Sequence, residues 1–159
     1  MRFLLRLGSA ILFLFAPAVT IASGVKFAAG LARGECKHIV CYGTSLTAIC
    51  GYPEALQDEL DGRWPGKARV TNSGGSGQNS RWGIENLDKL VISNRPDVVF
   101  LEFSMNDSVD RFKISLEESE QNMRTIIGRI REALPKCEVV LMTMNAYTGE
   151  LASKRADLS

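Results

Sequence analysis

The sequence predicts an α/β fold built on a doubly wound parallel sheet. Three observations predict it: four short apolar runs that read as strands, amphipathic stretches lying between them, and short links joining the two kinds of segment. Alternation of this kind connects parallel strands through right-handed crossovers, with helices on both faces. Composition agrees. The 159 residues are 45% hydrophobic and 23% charged, as in one soluble globular domain rather than a disordered chain. A net charge of +1 with no basic stripe excludes nucleic acid as an expected partner.

The elements follow in chain order. Residues 1–24 are read as a signal peptide or membrane anchor. Arg2 and Arg6 precede an uncharged apolar run over residues 7–22, and the small residues Ala22 and Gly24 flank Ser23 as at a cleavage site. The run is broken by Pro17 and is short for a membrane span, which needs about 20 residues. Export is therefore expected, with a membrane tether through residues 7–22 as the alternative. Residues 35–159 are expected to form the domain.

Within it, His38 to Tyr42, Ala68 to Thr71, Val98 to Phe103 and Val139 to Met142 are the expected strands. The last two are almost wholly apolar, as strands covered on both faces tend to be. Leu56, Leu60 and Trp64 repeat every four residues. Ile84, Leu87, Leu90 and Val91 mark one face of a second helix. Leu116, Met123, Ile126, Ile127, Ile130 and Leu134 place a third, longer helix between a Ser115 N-cap, with Glu118 completing a capping box, and Pro135.

Four cysteines, Cys36, Cys41, Cys50 and Cys137, include no CxxC pair, and one histidine cannot complete a Cys/His zinc set, so no metal is expected. Cys41 and Cys137 lie inside strand-like runs and read as buried thiols. A bridge between Cys36 and Cys50 is the one disulfide weighed.

In sheets of this class chemistry gathers beyond the carboxyl ends of the strands. The first three strands are followed there by Tyr42-Gly43-Thr44-Ser45-Leu46-Thr47, by Asn72-Ser73-Gly74-Gly75-Ser76-Gly77-Gln78-Asn79 and by Ser104-Met105-Asn106-Asp107. Together they offer a hydroxyl, backbone amides and a carboxamide. That is the inventory of an acyl-transfer site: a nucleophile and donors for a tetrahedral oxyanion. Taken singly, each is ordinary turn chemistry. A dinucleotide loop is disfavoured, because a GxGxxG starting at Gly75 fails at Ser80, and Glu102 reads equally well as a buried strand carboxylate.

These three blocks resemble those of the SGNH (GDSL) hydrolases, a family of esterases, lipases, thioesterases and carbohydrate deacetylases with a flavodoxin-like fold. Gly43-Thr44-Ser45-Leu46 is similar to the GDSL block, which implies Ser45 as nucleophile. Gly77 falls on the glycine of the second block, whose N–H lines the oxyanion hole. Asn106 falls on the asparagine of the third, whose amide is the other donor. The resemblance covers about residues 37–145 and implies an acyl-ester substrate and no cofactor.

Two departures are mild: Thr44 stands where the family has aspartate, and Ser104 where it often has glycine. The third is larger. The family's D-x-x-H block, which carries the general base, has no counterpart, and only four of the usual five strands are present. Residues 145–149 read as a site-facing loop and residues 150–159 as the start of a helix. The chain is thus expected to be incomplete at its C-terminus, weakly active or inactive as given, with an exported ligand-binding remnant of the same fold as the alternative. His38 is the only histidine and belongs to the start of the first strand, about 20 Å of extended chain from Ser45. It is expected to be a strand-start residue, and Asp107 a loop-capping carboxylate.

Overall fold

The computed structural model describes residues 26–143. The apolar run at 7–22, the loop at 145–149 and the tail at 150–159 lie outside the described residues.

Four parallel strands, β1 (Lys37–Gly43), β2 (Ala68–Asn72), β3 (Val98–Glu102) and β4 (Glu138–Leu141), lie side by side in the order β2-β1-β3-β4. All four apolar runs are therefore strands, to within a residue or so of their expected ends. Cys41 pairs with Asn72 on one side of β1, and Gly43 with Glu102 on the other. Because β1 is followed in space by β2 on one flank and β3 on the other, the strand order reverses beside β1, where the carboxyl ends leave a crevice.

Alternation along β1 divides the core into two layers. Val40 and Tyr42 point to the face covered by α4 (Ser80–Leu90) and α6 (Leu116–Ala133), where they meet Leu87, Val91, Phe103, Ile126 and Ile130. The rings of Tyr42 and Phe103 meet edge to face at 5.1 Å, and the Tyr42 hydroxyl donates to the Gly83 carbonyl at 2.7 Å. Ile39 and Cys41 point to the opposite face, where Leu60 of α3 (Tyr52–Arg63) is buried beside them.

A helix at the start of the described residues, α1 (Lys26–Ala32), has no counterpart in the sequence reading. Leu31 is fully buried in the second layer, and Phe27 packs edge to face on Phe100 at 6.2 Å. Two apolar anchors one turn apart, directly after a long apolar run, give too little periodicity to separate from it.

Other details differ from expectation. Leu116 is 47% exposed, so the buried stripe of α6 is carried further along, by Ile126 and Ile130. The Ser115 side chain accepts from the Glu118 N–H at 3.2 Å, as expected of the cap. The reciprocal half of the capping box is not formed, because the Glu118 carboxylate pairs with Arg81 of α4. β4 is not covered on both faces among the described residues: none of its side chains is buried and Leu141 is 54% exposed.

The Cys36–Cys50 bridge is also overturned. All four cysteines are free thiols. Cys36 precedes the first residue of β1 and Cys50 follows the helix beyond its last, so the full length of the strand separates them, far outside disulfide reach.

Candidate active site

Ser45 is the first residue of a short helix, α2 (Ser45–Ile49), that leaves the carboxyl end of β1. Thr44 caps it, its hydroxyl oxygen accepting from the Leu46 N–H at 3.3 Å. Ser45 is half-buried, and its hydroxyl has no hydrogen-bond partner among the described residues. Its N–H sits in the first turn, where no intrahelical carbonyl can take it.

The second loop folds against this turn. The Gly75 N–H donates to the Gly43 carbonyl at 2.8 Å. A Cβ on Gly74 would come within 2.4 Å of the Ala48 nitrogen, so only glycine lets the loop lie on the backbone of α2. Gly77 is exposed with φ +73°, a left-handed turn, and Gln78 closes that turn by donating to the Gly75 carbonyl at 3.2 Å. Asn79 then caps α4, its side chain accepting from the Arg81 and Trp82 N–H groups.

The third loop is a single helical turn, α5 (Ser104–Asp107). Asn106 is only 8% exposed, and its Nδ2 donates to the Gln78 carbonyl at 2.6 Å. The amide carries a second N–H on the same nitrogen. Asp107 is buried and accepts from the Ser80 N–H at 2.9 Å and from the Ser119 hydroxyl at 2.6 Å. It is a capping carboxylate, as the sequence suggested, although the helix starts it holds belong to α4 and α6 rather than to its own loop.

Ser45, Gly77 and Asn106 thus follow β1, β2 and β3 on one edge of the sheet, and hydrogen bonds link their loops. His38 lies at the other end. Its Nε2 is 2.8 Å from the Thr71 hydroxyl, while its Nδ1 is 3.0 Å from the Asn94 carbonyl and 2.9 Å from the Arg69 guanidinium. It lines a cleft of about 260 Å³ with Lys67, Arg69 and Asp97. Burial, followed by the neighbouring Arg69, holds its pKa below the ordinary histidine value.

The sequence profile of the GDSL-like lipase/acylhydrolases matches residues 40–158. The chain belongs to the GDSL-like lipase/acylhydrolase family. A GDSL esterase/lipase of Arabidopsis thaliana is 30% identical over 119 residues, covering 67% of this chain and 48% of that protein. The chain therefore spans about half the length of this curated relative. Among solved structures, a catalytic mutant of Axe2, an acetylxylan esterase from Geobacillus stearothermophilus, superposes with a TM-score of 0.67 at 20% identity, covering 78% of this chain and 67% of that one. LAE5, an α/β hydrolase enzyme from the metagenome of Lake Arreo in Spain, gives 0.67 at 20%, covering 78% and 68%. These neighbours share the α/β fold of this chain.

One residue of the site was only half legible in the sequence. Glu102, read there as a candidate buried strand carboxylate, is 3% exposed and directly behind the turn that carries Thr44 and Ser45. Its Oε2 accepts from the Thr44 N–H at 3.1 Å and from the Thr44 hydroxyl at 2.7 Å. A carboxylate ending an apolar strand was the only signal.

Proposed function

We propose that this GDSL-family domain carries the nucleophile and oxyanion pocket of an ester hydrolase acting on a small acyl ester. Ser45 attacks the acyl carbonyl through Oγ. The electron pair pushed onto the carbonyl oxygen is held by the N–H of Ser45, the N–H of Gly77 and the Asn106 amide. The Ser45 hydroxyl proton passes through solvent water to the leaving oxygen, and the tetrahedral species collapses with loss of the alcohol. Water then releases the acid from the Ser45 ester. The observation that carries this reading is the Asn106 amide, almost buried and fixed on the Gln78 carbonyl one residue from Gly77. Donors held in advance need no reorganisation when charge develops, which is where such sites gain most. No cofactor or metal enters the scheme.

His38 does not serve as the base, since it is engaged at the opposite end of β1. A serine hydroxyl without an imidazole partner is a weak nucleophile at neutral pH, so slow turnover of activated esters is expected from residues 1–159 alone. The same observation favours a second reading, an exported domain that keeps the pocket to bind an ester or its acid without cleaving it.

Hydrolysis of p-nitrophenyl acetate and of acetylated xylan by the full chain, with and without Ser45→Ala, tests the proposal. A slow rate that disappears in the variant supports hydrolysis. Equal rates would leave the binding reading in its place. Rapid Ser45-dependent labelling by a fluorophosphonate would show that a base activates Ser45 and would defeat the expectation of slow turnover. Export is part of the proposal, supported by Arg2, Arg6 and the apolar run after them. Protein recovered from its host should begin near Val25, and an intact Met1 in a soluble cytoplasmic fraction would defeat it.

A further inference from the structure

We propose that Glu102 is a positioning residue for Ser45, acting through Thr44. The inference rests on the hydrolase reading for its kinetic consequence, but the geometry stands by itself.

Two donors of one residue, the Thr44 N–H and hydroxyl, converge on a single oxygen of Glu102, at 3.1 and 2.7 Å. The Thr44 hydroxyl oxygen in turn accepts from the Leu46 N–H. Glu102 therefore fixes the side-chain rotamer that caps α2, and Ser45 is the one residue between the two amides so held. The strand ends are also brought close. Gly43 pairs with Glu102 across the sheet, and a Cβ on Gly43 would lie 2.4 Å from the Glu102 carbonyl oxygen and 2.9 Å from its Oε2. Only glycine before Thr44 lets the carboxylate reach the turn.

Glu102 is 3% exposed, and its other oxygen, Oε1, is buried with no partner among the described residues. No cation bonds to it among the described residues. A half-satisfied buried carboxylate costs more than an apolar side chain of similar size would. Unfavourable groups that persist beside a reactive residue point to a role there. Threonine suits the partnership: an aspartate at position 44 would set a second carboxylate against Glu102, whereas Thr44 supplies a donor.

The test compares Glu102→Leu, Glu102→Gln, Thr44→Val and Thr44→Ser in the full chain. Glu102→Leu and Thr44→Val should lower the Ser45-dependent kcat at least tenfold, with KM changed less than twofold. Glu102→Gln, which keeps an acceptor for Thr44, and Thr44→Ser, which keeps the hydroxyl, should recover most of the rate. A kcat within twofold of the parent in Glu102→Leu and Thr44→Val, or failure of both conservative variants to recover it, would overturn the proposal. If the parent shows no Ser45-dependent rate, the hydrolase reading has failed and amide exchange decides instead. Thr44 and Leu46 amides should then exchange at least tenfold faster in Glu102→Leu and Thr44→Val, with core strand amides unchanged. Unaltered exchange at both would sink the positioning role.

Discussion

The side-chain amide of Asn106 reaches the carbonyl of Gln78, 28 positions earlier in the chain, at 2.6 Å. One bond thereby fixes the loop after β3 to the loop after β2, and the second amide proton of Asn106 is the one that the proposed function assigns to the oxyanion. Asn106→Ala should lower the Ser45-dependent kcat by about 10²-fold, the effect of losing one oxyanion donor, with KM within about twofold. Steady-state kinetics on p-nitrophenyl acetate check this. An equal loss in KM would place Asn106 in substrate binding instead.

Asp107 holds the starts of two helices, through the Ser80 N–H of α4 and the Ser119 hydroxyl of α6. Asp107→Ala leaves both donors buried and unmatched and should cost about 2 to 3 kcal/mol. The urea midpoint should fall with an unchanged m-value. Ser119→Ala removes one of the two bonds and should cost less than half as much.

The cysteines should separate by exposure. Cys36 and Cys50 are exposed. Burial pushes the Cys41 thiol up to about 11 and that of Cys137 up to about 12, so neither provides thiolate at neutral pH. Ellman's reagent at pH 8 should modify two thiols quickly, Cys137 slowly, and Cys41 only after unfolding. Fewer than two fast thiols in reduced protein would overturn this ordering.

His38 should make stability pH-dependent. Arg69 faces it from β2, Asp97 accepts from its backbone N–H, and Thr71 and the Asn94 carbonyl complete its surroundings. Its folded pKa lies below the ordinary value of 6.5, so the unfolded chain binds the proton more readily. This group's contribution is complete above pH 6.5 and is lost as pH falls through the lowered folded pKa. Chemical denaturation in that window should show stability rising with pH, and His38→Gln should remove that part of the rise. An unchanged slope in the variant would assign the dependence to other groups.

The sequence by itself determined the strands and the kinds of loop that follow them. Val98 to Phe103 could be read as a strand because a run of apolar residues declares its period locally, and Ser115 as a cap because its partner lies three residues away. Ser45, Gly77 and Asn106 were singled out by resemblance to the family's blocks, because each loop taken singly is ordinary turn chemistry. What only the tertiary structure decided spans the chain. That β1 lies between β2 and β3 sets Glu102 opposite Gly43, and so sets a carboxylate under Thr44, 58 positions away. The Asp107 links to Ser80 and Ser119, the pairing of Glu118 with Arg81, and the burial of Leu31 arise in the same way. None leaves a periodic trace, because a side chain's partner is fixed by which strands become neighbours, and strand order is decided by how two apolar faces are covered at once.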